Sequence, residues 1–199
     1  MPRHLSHQLT RALRSRRSLL SIYLPLVLLT LTHSPTLKAD DQASLNMGAN
    51  WYGSTQGQSL SGLKGYYANF LSEAGKSAVR PGFSAQLEYA TGTPTGGVAT
   101  TLIAGQLSGG LAFFIFKTNQ VKPFLGSHAT LGWGNCTEGT TSTIGLTYGG
   151  FLTGGAEVRL GKGANSKSVR IGTSYRVVRT SLGSIKELDA FQLSVGIVF

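Results

Sequence analysis

One cysteine, Cys136, occurs in 199 residues, so no intramolecular disulfide framework is available. Charge is scarce too, at 13 % of residues, and no run of Lys or Arg follows residue 39. Six of the 18 basic residues, Arg3, Arg11, Arg14, Arg16, Arg17 and Lys38, precede residue 40, and none of the eight acids does. The remaining 12 basic and 8 acidic groups leave a net +4, so the formal +10 is not the footprint of a nucleic-acid binder. After residue 39 no apolar stretch is long enough for a membrane helix, and any crossing of a bilayer there must use strands. Histidine is nearly missing from the same region, where His128 is the one ready general base. No metal-ligand cluster, Walker-type loop or dinucleotide fingerprint is present, which points to no cofactor, no metal and no dedicated catalytic site.

The first 39 residues read as a secretory signal peptide. Five arginines form a basic region, Ser18 to Thr32 is apolar, and Leu37-Lys38-Ala39 offers a small residue at the cleavage point. An uncleaved anchor is the alternative, disfavoured because the apolar run is shorter than the roughly 20 residues of a spanning helix. The domain organisation expected is therefore residues 1–39 as signal peptide and 40–199 as one folded domain. Cys136 reads as an unpaired thiol in a loop, with an intermolecular or lipid-linked role as the alternative.

Alternation at period two runs through that domain. Leu45, Met47, Ala49 and Trp51 alternate with Asn46, Gly48 and Asn50 in a first strand from Ala43 to Tyr52. Residues 53–80 lack strand character, and Leu60, Leu63, Tyr67, Phe70 and Leu71 fall at helical spacing there, so a loop with a short helix is expected. Phe83, Ala85, Leu87 and Tyr89 mark the second strand. Val98 to Lys117 is expected to hold the third and fourth, connected near Ser108-Gly109-Gly110, although apolar residues fall on both faces. A packed lumen or a register change at a glycine bulge would each explain that. The fifth strand runs from Val121 to Gly134, a polar loop covers Asn135 to Ser142, and the sixth carries Ala156, Val158 and Leu160 against Glu157 and Arg159. Val169, Ile171, Thr173, Tyr175 and Val177 alternate with Arg170, Gly172, Ser174 and Arg176 in the seventh, and Phe191 to Phe199 is the eighth.

The segment Lys122-Pro123-Phe124-Leu125-Gly126, which opens a glycine-alternating strand, and a final strand with Phe199 at its end resemble the small outer-membrane β-barrels of Gram-negative bacteria, the OmpA, OmpW and OmpX-like group. The resemblance implies an all-β, eight-stranded antiparallel transmembrane barrel, with ten strands if residues 59–80 or 137–149 hide a hairpin. It also implies insertion by the barrel assembly machinery, with Phe199 as part of the signal, and contact with outer-membrane lipids including lipopolysaccharide. Turns at 92–97, 117–122 and 161–167 would lie on the periplasmic side with both termini. A soluble periplasmic lipocalin-like barrel is disfavoured by the apolar outward faces of the last four strands.

Inward charges would be Glu88, Glu157, Arg159, Arg170 and Arg176, with Glu88 in reach of the arginines of the sixth and seventh strands. A carboxylate–guanidinium network filling the lumen is the expected arrangement. A gate for small solutes, a narrow pore, is one functional alternative. A second follows from the resemblance, because small barrels include lipid A deacylases and acyltransferases. Ser127 and His128 are adjacent and so point to opposite faces of a strand, and the same-face partner two residues on is Thr130. A lumen histidine bonded to its neighbours, and no catalytic role, is the reading preferred. Function then rests on a structural, adhesion or loop-mediated binding role.

Overall fold

Period-two alternation becomes nine strands in the computed structural model, which describes residues 42–53, 63–75, 77–94, 97–115, 120–161, 167–183 and 185–199. The expected signal peptide, residues 1–39, lies outside the described residues. The strands are β1 (Gln42–Tyr52), β2 (Lys64–Glu73), β3 (Val79–Gly92), β4 (Thr100–Phe114), β5 (Val121–Glu138), β6 (Thr141–Arg159), β7 (Ser168–Leu182), β8 (Ile185–Glu187) and β9 (Ala190–Val198). Eight of them form a closed ring of antiparallel neighbours, β1 through β7 in chain order and then β9, which pairs with both β7 and β1. The short β8 continues the line of β9 along the same edge of β7, Arg179 opposite Glu187 in the register that sets Arg176 opposite Ala190, and then Leu182 opposite Ile185.

Closure removes the sheet edges that would otherwise template aggregation. The seam holds because Ser44 to Tyr52 registers against Val198 to Ala190, and Ala43 and Phe199 exchange backbone bonds of 3.1 and 2.9 Å beyond it. Phe191, Leu193, Val195, Ile197 and Phe199 all face outward, and Gln192, Gly196 and Val198 are buried on the lumen side.

The eight-strand count comes out as expected through two errors that cancel. Residues 64–73 form a strand and not part of a long loop: Tyr66 and Ala68 face out, and Gly65 and Tyr67 face in. Its polarity is masked because Tyr67, a large ring, points into the lumen opposite Gly48. Conversely, 100–114 is one strand without a break at Gly109-Gly110. Its apolar residues on both faces reflect a packed lumen: Leu102, Ala104, Ala112 and Phe114 are buried inside, and Leu107, Leu111 and Phe113 are exposed outside.

These two changes also move one turn. The β3–β4 link, which contains the expected turn at 92–97, lies at the end away from Gln42 and Phe199, whereas the β2–β3, β4–β5 and β6–β7 links lie at the end that holds them. The expected polar loop at 135–142 is also mostly strand. Glu138 pairs with Thr141 across a two-residue turn, where Gly139 takes φ 58°, as the first position of a tight hairpin turn demands. Cys136 is therefore buried on the inner face of β5 and is not a loop residue.

Outside, the barrel is greasy. Leu45, Met47, Phe83, Leu107, Leu125, Leu131, Leu152, Ile171, Leu193 and Ile197 are all exposed. Water would not tolerate so continuous an apolar belt, and hydrocarbon satisfies it without cost. Exposed aromatic residues Trp51, Tyr66, Tyr89, Tyr175 and Phe191 mark the loop end of the belt, where amphipathic rings settle at a membrane interface. Trp51 and Phe191 pack there as cross-strand neighbours with centroids 6.2 Å apart.

Candidate functional site: the barrel lumen

Every second side chain along each strand enters the lumen, and at eight strands the space is just wide enough for side chains to fill. The fill is layered along the barrel axis. Nearest the termini, Arg170 of β7 holds Glu73 of β2 in a bidentate pair, Nη1 to Oε1 at 3.0 Å and Nη2 to Oε2 at 2.7 Å. Its Nη2 also lies 3.4 Å from Glu157 of β6, and Lys122 of β5 donates to the other oxygen of Glu157 at 3.4 Å. Two guanidinium–aromatic stacks complete this layer. Arg80 lies 4.1 Å from the Phe114 ring centroid and Arg170 lies 4.9 Å from that of Phe124. Arg80 also donates to the side chain of Gln42 and to the Ser77 carbonyl.

Towards the loop end, Glu88 of β3 and Arg176 of β7 bond across the lumen through both terminal guanidinium nitrogens, Nη2 to Oε1 at 2.9 Å. Asn50 donates to Glu88 at 2.6 Å, Tyr52 donates its hydroxyl to the same oxygen, and Gln192 donates to Asn50 at 2.9 Å. Removing a carboxylate from water is costly unless its lone pairs are refilled, and four donors from three residues refill those of Glu88. Above this layer an apolar cap of Tyr52, Leu63, Leu102, Cys136, Val178, Leu182, Ile185 and Leu188 fills the mouth. The three residues of β8 bring Ile185 into that cap.

Of the charges expected inside, Glu88, Glu157, Arg170 and Arg176 are buried as foreseen, and Glu88 meets the arginine of the seventh strand. Arg159 is half-buried near the terminal end of β6. Glu73 and Arg80 are additional members. Glu73 was hidden by the stretch read as a loop, and Arg80 by the proline and glycine that follow it; alternation from Arg80 through Gly82, Ser84, Gln86 and Glu88 was the signal that could have found it.

His128 faces the lumen, 5 % exposed, and stacks on Phe151 with centroids 4.7 Å apart and planes at 10°. Contrary to the expectation of a histidine bonded to its neighbours, neither ring nitrogen has a partner among the described residues. The space is there because Gly110 stands opposite; any side chain on it would meet the His128 ring. Ser127 faces outward, as two adjacent strand residues must, and Thr130 bonds its hydroxyl to the Leu107 carbonyl at 3.3 Å. Among the described residues no group of His, Cys, Asp and Glu could hold a metal ion.

No family model and no curated protein matches this sequence. Among solved structures the chain is similar to Neisserial surface protein A, at 15 % identity over 79 % of this chain and 94 % of that one, with a TM-score of 0.54. It is also similar to Ail, the attachment invasion locus protein of Yersinia pestis, at 11 % identity over 80 % and 99 % of the two chains and a TM-score of 0.48. The outer membrane enzyme PagL follows at 14 % identity over 79 % and 98 %, with a TM-score of 0.39. At these identities the likeness is one of fold. With eight strands closed in a ring, a lipid-facing belt and a filled lumen, the chain has the fold of the small outer-membrane β-barrels, the OmpA, OmpW and OmpX-like group, and its place is the cell outer membrane.

Proposed function

We propose that this barrel is a closed membrane anchor whose role is structural or adhesive and is carried by its loops, with no catalytic role and no transport through the lumen. The observation that supports this reading best is the double closure of the interior. Arg170, Glu73, Glu157, Phe114 and Phe124 fill one level, and Glu88, Arg176, Tyr52 and Asn50 fill another. A solute would have to break two buried charge networks in series. The loop between β1 and β2, much of it outside the described residues, is the longest at the end away from the termini and is the preferred surface for an extracellular ligand. Outer-membrane lipids, lipopolysaccharide among them, are the partners that the belt would meet, and the barrel assembly machinery is the partner that would insert it.

The lipid A-modifying alternative has less support. His128 lies inside the wall with its ring on Phe151, and Ser127 points to the opposite side. Lipid A spectra should therefore be the same with and without the gene; an altered spectrum restored by wild type but not by His128→Ala would establish the enzymatic reading instead. Planar bilayer recordings test the closure: wild type and Glu88→Ala should both be silent, since Glu88→Ala leaves the Arg170 layer intact. Stepwise currents in wild type would overturn the closed reading. Replacing residues 54–62 by a short linker should leave a heat-modifiable barrel and abolish attachment or envelope phenotypes.

A further inference from the structure

Between the two charged layers the lumen is not completely filled. A cavity of about 40 Å³ remains, lined by residues of β1, β2, β3, β5, β7 and their neighbours. Seven polar atoms of its lining have no partner among the described residues: Asn46 Oδ1, Asn69 Oδ1, Ser84 Oγ, Gln86 Nε2, both ring nitrogens of His128, and Arg170 Nε. Asn46, Ser84, Gln86, His128 and Arg170 are each at least 95 % buried. Buried polar groups in folded proteins are nearly always satisfied, and seven such atoms around one void identify it as a site with a hydrogen-bonding occupant.

The charges and the size of the cavity define that occupant. Glu73 and Glu157 are balanced by Arg170 and Lys122, so the lining presents no net charge for an ion. Donors and acceptors are mixed around the wall: Gln86 and Arg170 donate, Asn46 and Asn69 accept, and Ser84 and His128 can do both. At ~10–15 Å³ of cavity per water, the space holds about three water molecules and no larger solute.

We propose that the lumen encloses a site for a cluster of about three waters, in which His128 is joined through water to the β1, β2 and β3 walls and has no direct bond to them. The inference rests on the closed reading of the lumen, because the two charged layers isolate the site from both bulk phases. His128 then serves as a positioning residue of this cluster, and its two free nitrogens are occupied.

The test is nuclear magnetic resonance on the assembled barrel in nanodiscs. Water-to-protein cross-relaxation should appear at the side-chain amide protons of Gln86, Asn46 and Asn69 and at the ring protons of His128. It should survive a gadolinium chelate too large to enter. Ser84→Val and, separately, Asn69→Leu introduce apolar bulk and should erase or strongly reduce these signals while heat-modifiable migration is retained. Absence of water signals in wild type, or undiminished signals in both folded variants, would overturn the proposal. Its failure is distinguishable from failure of the closed reading: silent bilayers with a dry cavity would discard the site alone, and ion currents in wild type would discard the closure.

Discussion

Glu88 and Arg176 stand on β3 and β7, which are not sheet neighbours, and their side chains meet across the lumen with both terminal guanidinium nitrogens on one carboxylate. Both are essentially inaccessible to water, with side-chain exposures of 0 and 1 %. Such a pair gains little over an apolar filling of equal shape, but it is strongly destabilising when only one partner is removed. Its value lies in register: an inward charge that met no partner would penalise any misaligned closure of the sheet.

This asymmetry gives a double-mutant prediction. Glu88→Gln leaves Arg176 as an unpaired buried cation, and Arg176→Met leaves Glu88 as an unpaired buried anion. Each should cost about 3–5 kcal/mol. The double variant should recover most of the loss, measured as the urea dependence of refolding into lipid followed by heat-modifiable migration. Simple addition of the two losses would show that the pair is not coupled.

Phe113 and Phe114 supply a second test, because adjacent residues of β4 face lipid and lumen. Phe113 is 46 % exposed and Phe114 4 %, with Arg80 stacked on the latter. Phe114→Ala should lose about 3–5 kcal/mol through the cavity it leaves, with the stack adding up to ~2 kcal/mol. Phe113→Ala should lose clearly less, since lipid chains fill the space. Equal losses in the same refolding assay would contradict the assigned facing of β4.

The places where alternation could be read from sequence, and where it could not, have one physical origin. β7 and β9 are legible because their lumen sides are small or charged and their lipid sides aliphatic, so polarity reports facing. In β2 and β4 the lumen side carries Tyr67, Leu71, Leu102 and Phe114, and polarity no longer distinguishes the faces. Those residues serve the cavity wall, the apolar cap and the arginine stack, which are tertiary features that period two cannot announce. The same reason accounts for the site. Glu88 and Arg176 were readable as inward charges, but Glu73 needed β2 to be recognised first. That His128 would lie on Phe151 with free nitrogens depends on Gly110 opposite it, across a strand that was read as two.

Gly48 tests how tightly the wall is packed. A methyl group there would lie 2.6 Å from the Tyr67 ring and also collide with the Leu193 carbonyl of the neighbouring strand. Gly48→Ala should therefore reduce the yield of assembled barrel severely. Tyr67→Ser in the same chain should restore it only in part, because the backbone carbonyl cannot retreat as a side chain can. Full restoration would assign the whole clash to the ring.

Cys136 reports on the cap. Its thiol is buried at 2 % exposure among Leu102, Val178, Leu182, Ile185 and Leu188 at the loop end of the lumen. A thiol in that position meets a reagent only when the cap opens, so the labelling rate measures the opening equilibrium and not the chemistry of the cysteine. Maleimide labelling of the assembled barrel should be at least about 100-fold slower than of the urea-unfolded chain, since a local opening of about 2.7 kcal/mol already gives that factor. Leu188→Ala leaves a hole in the same cluster and removes no hydrogen-bonding member of either charged layer. It should raise the folded-state rate several-fold while bilayers stay silent, because the Glu88 and Arg170 layers still close the lumen beneath. Rapid labelling of the folded wild type would show that the loop end is open, and the cap would lose its standing as a closure.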